Sequence, residues 1–345
     1  MLYTCPSCGA GMTYDADVHS LKCMSCGNTF EQAPASDRID SPAASCANCG
    51  APIENAEKKL TYHCEYCDSW MLLDTNITYQ GLTPQKIVPP NSGRGRALEK
   101  IRTAFDNIAF MPDDFLYPED DRCIKGEYVP FFLYDVEGEG RAVYECENTT
   151  SWDSGKTTYT KHDIYRVVRE YRARYRDVPI DASDRINDRI IDRVAPFDRS
   201  DEREGLPKEI LPGYEMSVFD KPPDSEEYYE RSNAWTRDSS EDRILSSVRG
   251  YDSVNRVESG YSSRNTASTY AFFPVYEYNY VYGSKTGDPE KDRKRSYTIY
   301  VNGTNDRVSG RVPISWWKLN LHFIVEGVCT VVSVAAIAGI LRMIL

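Results

Sequence analysis

Eight of the eleven cysteines are set in two copies of one pattern. Cys5-Pro-Ser-Cys8 is followed after fourteen residues by Cys23-Met-Ser-Cys26, and Cys46-Ala-Asn-Cys49 after fourteen residues by Cys64-Glu-Tyr-Cys67. The copies lie 41 residues apart, with Gly9-Ala10 in register with Gly50-Ala51. A C-x2-C pair places two thiolates on one tight turn, and a second such turn completes a tetrahedron of sulfur around a metal ion. The pattern predicts two zinc ribbons, one holding its ion through Cys5, Cys8, Cys23 and Cys26, the other through Cys46, Cys49, Cys64 and Cys67. Each ion is structural, because four protein sulfurs leave no position for a substrate. Iron held as in a rubredoxin uses the same ligand set; the fourteen-residue separation is short for that site and usual for a ribbon. Disulfides would need an oxidising compartment, and Met1 to Ala10 contains no apolar run of the kind a secretion signal carries.

No other set of residues makes a comparable constellation. His19, His63, His162 and His322 are scattered, and neither G-x-S-x-G, H-E-x-x-H nor a phosphate-binding G-x-x-x-x-G-K-[ST] loop is present. The chain is therefore not expected to be an enzyme. Cys123 and Cys146 read as buried thiols and Cys329 as a small packing residue.

Charge narrows the partners. The net charge is −12, and residues 1–75 carry ten acidic side chains against four basic ones. Each zinc with four thiolates adds further negative charge. Nucleic-acid affinity rests largely on Lys and Arg neutralising phosphates, so acidic ribbons are poorly suited to it. Protein binding is the better expectation. The alternative is a membrane-associated nucleic-acid-binding protein of the replication or helicase-accessory type.

The elements that position these residues follow from periodicity. Ribbon 1 spans 1–33, a Pro/Ala/Ser-rich linker 34–45, ribbon 2 46–75 and a second linker 76–96. Ala97, Ile101, Phe105, Ile108 and Ala109 recur at helical spacing before Pro112. After Pro118 the period becomes two: Tyr128 to Val136 and then Ala142 to Cys146 alternate on either side of Gly138-Glu139-Gly140, which reads as a hairpin. Tyr159 to Tyr175 leans to strand. Asp181 to Val194 reads as a helix capped by Ser183, and residues 225–249 as partly helical. Phe273-Pro274-Val275-Tyr276 echoes Val129-Pro130-Phe131-Phe132, and Asn302-Gly303 separates two further strands. Residues 97–318 are thus expected to form a β-rich α+β domain.

Leu321 to Leu345 is apolar apart from His322, Glu326 and Arg342, and 25 residues suffice to cross about 30 Å of hydrocarbon. Trp316-Trp317-Lys318 precedes it as an interfacial anchor would. The expectation is one C-terminal transmembrane helix over 321–345, tail-anchoring the chain at the cell membrane with its N-terminal bulk in the cytoplasm. The alternative is a buried amphipathic helix, because the charge-free core is short and Glu326 would sit near the membrane edge. The fold class expected is small zinc ribbons plus a β-rich α+β domain and that helix.

The order of motifs resembles a family. Two four-cysteine ribbons precede MPDDF (111–115), GEYVPFFLYD (126–135), VPIDAS (178–183), APFD (195–198) and LPGYEM (211–216). FFPVYEYNY (272–280) and YTIYVNGTNDRVSGRVPISWWK (297–318) follow. This is similar to the bacterial TFIIB-type zinc-ribbon-containing membrane proteins, also labelled primosomal-protein-N′-like or helicase-subunit zinc ribbons. The resemblance implies recruitment of cytosolic partners, among them PspA-like or SPFH-like membrane-stress proteins. The sequence departs from the family at Asp68, where the fourth knuckle lacks its glycine, and in the polar insertion at 283–295. The functional expectation is a membrane-anchored double zinc-ribbon adaptor that scaffolds protein partners, with nucleic acid an improbable ligand.

Overall fold

Three runs of alternating aromatic, β-branched and charged residues form the longest strands of the chain. They are β8 (Lys125–Ser154), β9 (Thr157–Asp181) and β12 (Ser253–Val281). The computed structural model describes residues 2–32, 45–73, 77–106, 108, 110–113, 115, 120–282 and 296–327. Within it β8 pairs antiparallel with β9 on one edge and with β12 on the other. The two echoing motifs are thereby neighbours, with Val129 opposite Phe273 and Pro130 opposite Phe272. At about 3.3 Å per residue the 30 residues of β8 extend to roughly 100 Å.

β8 does not turn at Gly138-Glu139-Gly140, where the alternation suggested a hairpin. The chain passes straight through and reverses only at Gly155, whose φ of 68° suits a residue without Cβ. The two glycines serve the sheet face. A Cβ at Gly138 would collide with the Tyr261 ring and one at Gly140 with the Tyr171 ring, and these rings stack 6.4 Å apart. The glycines make room for aromatic side chains arriving from both neighbouring strands.

Six short strands extend the sheet. These are β1 (Leu2–Tyr3), β6 (Trp70–Leu72), β5 (Lys59–His63), β11 (Tyr214–Ser217) and, on the far side, β13 (Ser296–Asn302), with β14 (Val308–Gly310) closing that edge. Their order is β1-β6-β5-β11-β8-β12-β13-β14, with β9 beside the distal part of β8. β7 (Lys86–Ile87) bridges β12 and β10 (Arg203–Glu204). A separate three-stranded sheet joins β2 (Met12–Asp15), β3 (Ser20–Cys23) and β4 (Thr29–Phe30).

Helices cover this framework. α1 (Arg94–Phe105) buries Ala97, Ile101 and Phe105 of the stripe its periodicity indicated; it ends before Ile108, which is exposed, and Ala109 lies outside the described residues. Its basic residues turn inward or to neighbours: Arg94 donates to the Gly213 carbonyl at 2.5 Å, and Arg96 and Lys100 reach Asp306 at 3.1 and 3.6 Å. α2 is Asp188–Val194, shorter than the helix expected from Asp181. Asp181 still pairs with Phe131 in the sheet, and the Ala182 N–H donates to the Pro130 carbonyl. The cap is consequently Asn187, which accepts from the Arg189 N–H, and not Ser183. α3 (Glu226–Ser246) lies on the long strands through Tyr228, Ser232, Thr236 and Ser240, a stripe with a period of four. Small hydroxyls let the helix approach, and Ser240 bonds the Tyr175 hydroxyl at 2.7 Å.

The last helix among the described residues, α4, is seen over 316–327, and the membrane expectation is not met there. No helix among the described residues is long and apolar enough to cross a membrane, and residues 328–345 of the apolar stretch lie outside those described. Lys318, read as a headgroup anchor, grips the body instead: its ammonium donates to the Met111 carbonyl at 2.9 Å and to Asp113 at 2.5 Å. His322 pairs with Glu326 one turn on, at 3.0 Å. The transmembrane helix, the tail anchor and the placement at the cell membrane are corrected accordingly.

Candidate metal centres

All eight cysteines singled out by their spacing come together in two groups, Cys5, Cys8, Cys23 and Cys26, and Cys46, Cys49, Cys64 and Cys67. Within each group the sulfurs lie within 4.8 Å of one another. Cys5–Cys26 and Cys8–Cys23 are 3.7 and 3.5 Å apart, and Cys46–Cys67 and Cys49–Cys64 are 3.7 and 3.6 Å apart. A tetrahedron with metal–sulfur bonds of about 2.3 Å has edges of about 3.8 Å, so both groups are the right size for one ion. Two such ions would be structural. Each group combines two buried or largely enclosed sulfurs with outer ones: Cys5, Cys23, Cys46 and Cys64 are buried, whereas Cys8, Cys26 and Cys49 are exposed.

Four knuckle turns hold the ligands, and each closes in the same way. The N–H of the residue after the second cysteine returns to the carbonyl of the first, at 2.8 Å for Gly9–Cys5 and Gly50–Cys46 and 3.1 Å for Gly27–Cys23. The three glycines take φ of 75–77°. Asp68 makes the same bond to Cys64 at 2.8 Å with φ of 57°, so the departure in sequence leaves the turn intact. Aspartate tolerates the left-handed region better than most residues, and its carboxylate lies 3.2 Å from His63 Nε2. His63 in turn stacks on Trp70 at 4.9 Å.

Electrostatics within each group are uneven. The Cys26 N–H, followed by other donors of its turn, pulls the Cys23 thiol down to about 6. In the second group burial pushes the Cys46 thiol up to about 12, while at Cys67 donors from Ser69 and Asn48 outweigh burial and bring it to about 6. Cys23 and Cys67 are thus readily ionised, and a bound cation would have to draw the proton from Cys46.

The ribbons are not beads on a string. Leu2 and Tyr3 of the first chain segment pair with Met71 and Trp70 of the second, and Leu2 packs with Cys46, Ile53, Cys64 and Met71. β5 of the second ribbon continues into the body through β11. Tyr3, Met12, Tyr14 and Leu21 of the first ribbon share one core with Leu60, Tyr128, Tyr214 and Tyr276. Asp17 accepts from the Gly93 N–H at the start of α1, at 3.1 Å. Sheet and core therefore run across the segment boundaries read at residues 33, 46, 75 and 97. Composition carries no sign of these long-range joints; the aromatic residues in β1 and β2 are the only hint.

The knuckles also expose apolar side chains: Met24 is 66 % and Tyr66 77 % accessible. Asp15, Asp17, Glu65 and Asp68 surround them in sequence. Of the remaining thiols, Cys146 is buried as expected, but Cys123 is exposed; Cys329 lies outside the described residues.

The chain is 25% identical over 339 residues to an uncharacterized protein, YdjG, of Bacillus subtilis (strain 168), a match covering 93% of this chain and 92% of that one. No family model and no solved structure matches.

Proposed function

We propose that this chain is a protein-binding scaffold, not a catalyst, whose two four-cysteine ribbons each hold a structural zinc ion and present their knuckles to a protein partner. The observation that carries this reading is the exposure of Met24 and Tyr66 on turns that the cysteines and the body core hold in place. A rigid, partly apolar loop loses little conformational freedom on binding, which favours its use as an anchor. Zinc suits the ligand set because four thiolates at tetrahedral spacing match its preference, and the acidic flanks disfavour nucleic acid.

The test is capture from cell extract with the full chain and with a Met24→Ala, Tyr66→Ala double variant, after metal analysis shows equal zinc in both. A defined protein retained by the first and lost from the second supports the reading. PspA-like and SPFH-like proteins are the first purified candidates to titrate. Equal capture by both chains, or salt-sensitive binding to single- or double-stranded DNA at low ionic strength, would overturn it.

A further inference from the structure

β9 has a free edge from Thr157 to Tyr175 among the described residues. It pairs with β8 on one side, and no described strand pairs with the other. Folded proteins usually blunt such an edge with proline, a bulge or charge, because unpaired N–H and C=O groups invite another strand. No proline occurs between Thr157 and Val178. Ile164, Tyr165 and Val168 are exposed on this strand, at 64, 44 and 43 %. A bulge at Arg176-Asp177, where Asp177 takes a φ of 53°, and Pro179 blunt only the end of the strand; from Thr157 to Tyr175 charge is the guard, and its arrangement selects one partner.

We propose that the chain dimerises by adding β9 to β9 of a second copy, antiparallel, about a two-fold axis at Val168. In that register Glu170, exposed and only 3.8 Å from Arg141 on β8, faces Arg166, twice by symmetry, Tyr165 faces Tyr171 and Lys161 faces Tyr175. No Arg or Lys faces another, and His162, which meets Arg174, is already bound to Glu147. Neighbouring registers are worse. An axis at Arg169 sets that residue against itself and Arg166 against Arg172; one at Glu170 sets glutamate on glutamate; one at Val167 places Glu170 against Ile164 and loses both ion pairs. Opposite charges directly across a strand pair stabilise it and like charges oppose it. Pairing from Lys161 to Tyr175 would add about fifteen backbone hydrogen bonds. It would join two three-stranded arms into one six-stranded ribbon. The dimer would carry four knuckle pairs, so that weak contacts with a partner could add.

The experiment uses the full chain. Light scattering should give the dimer mass at micromolar concentration. Val168→Cys should form a disulfide-linked dimer under mild oxidation, well above the background that wild type sets with its native cysteines. Residues facing each other across the axis have Cα atoms about 4.5–5.5 Å apart, within disulfide reach. Arg166→Glu and Glu170→Arg, each shown by circular dichroism to fold, should separately weaken the dimer by about ten-fold or more. The double variant, which swaps the charges, should restore it. A monomer at every concentration, no cross-link through residue 168 above background, or a dimer indifferent to the charge swap would each overturn the proposal.

Discussion

The first ribbon's metal site is packed into the main core, with Cys5 and Cys23 beside Met12, Tyr14 and Leu21, whereas the second ribbon gives that core Leu60, Trp70 and Leu72 and keeps Cys46 and Cys64 in a cluster apart. β2, β3 and β4 make their own small sheet, yet Met12, Tyr14 and Leu21 lie in the main core. β5 and β6 belong to the main sheet, yet Ile53, Ala56 and Met71 pack in a small cluster of their own. One cysteine pattern has been fitted to the same body in two ways. Each fully buried apolar side chain stabilises by about 1.5–3 kcal/mol, whereas a backbone hydrogen bond contributes about 1 kcal/mol net. The first metal site should therefore share the fate of the body, and the turns around the second should be able to loosen while Leu60 and the sheet pairing of β5 hold.

The largest test of this contrast is removal of the ligands. Cys5→Ser with Cys23→Ser should release one metal equivalent and lower the main unfolding transition, since the site supports residues of the central core. Cys46→Ser with Cys64→Ser should release one equivalent and produce a separate, earlier transition, with the main one less affected. Calorimetry with metal analysis distinguishes these patterns, and a single identical shift in both variants would erase the distinction. Metal-coupled folding energies run to about 10 kcal/mol, so both effects should be large.

Truncating a core side chain asks the same question without touching the ligands. Leu21→Ala should destabilise the whole chain by about 3 kcal/mol. Ile53→Ala should act mainly on the second ribbon, seen as faster metal loss to a chelator with little change in the global denaturation midpoint.

Acid should divide ribbons from body. Protonation of thiolates releases metal, so both ribbons weaken as pH falls. Asp181 in the body behaves oppositely. Burial pushes its carboxyl up to about 6, against the opposing charge of Arg231 on α3, with which it forms an ion pair. Between the ordinary carboxyl range and about pH 6 the folded state holds a proton that the unfolded chain has released. The contribution of Asp181 to stability is thus greatest below that window and declines as pH rises through it. Denaturation midpoints of a chain with both ribbons disabled should show this decline, and Asp181→Asn should flatten it.

The smallest effect concerns the contact between the first ribbon and α1. Asp17→Ala removes the acceptor of the Gly93 N–H and a negative charge at the helix start, and should cost at most about 1 kcal/mol in global denaturation. If the loss fell on metal retention alone, the first ribbon would be less firmly tied to the body than its packing indicates.

Much of the fold was legible because its signals are local. Alternation marked much of β8, aromatic and β-branched residues marked β9 and the end of β12, and helical spacing marked the buried stripe of α1; the polar first half of β12, from Ser253, carried no strand signal. Errors arose where a local signal had a distant cause. Gly138 and Gly140 looked like a turn, but they accept rings from Tyr171 and Tyr261, which lie on two other strands. Ser183 looked like a helix cap, but sheet pairing holds the chain extended through Asp181. Lys318 and its tryptophans looked like a membrane boundary, but the ammonium binds Met111 and Asp113, some two hundred residues earlier.

The sequence by itself determined the ligand sets, because a C-x2-C knuckle is a local structure whose geometry depends on four or five consecutive residues. It also determined the strand periodicity, which is set by the alternation of side chains across a pleat. Only the tertiary structure decided how the ribbons are joined, which glycines serve a sheet and not a turn, and which strand edge remains free. These depend on contacts between residues more than a hundred positions apart, such as the Tyr14 N–H with the Pro212 carbonyl and Thr61 with Met216 across the sheet. Neither composition nor spacing encodes such contacts, because they are selected by complementary shape and hydrogen bonding once the whole chain has collapsed.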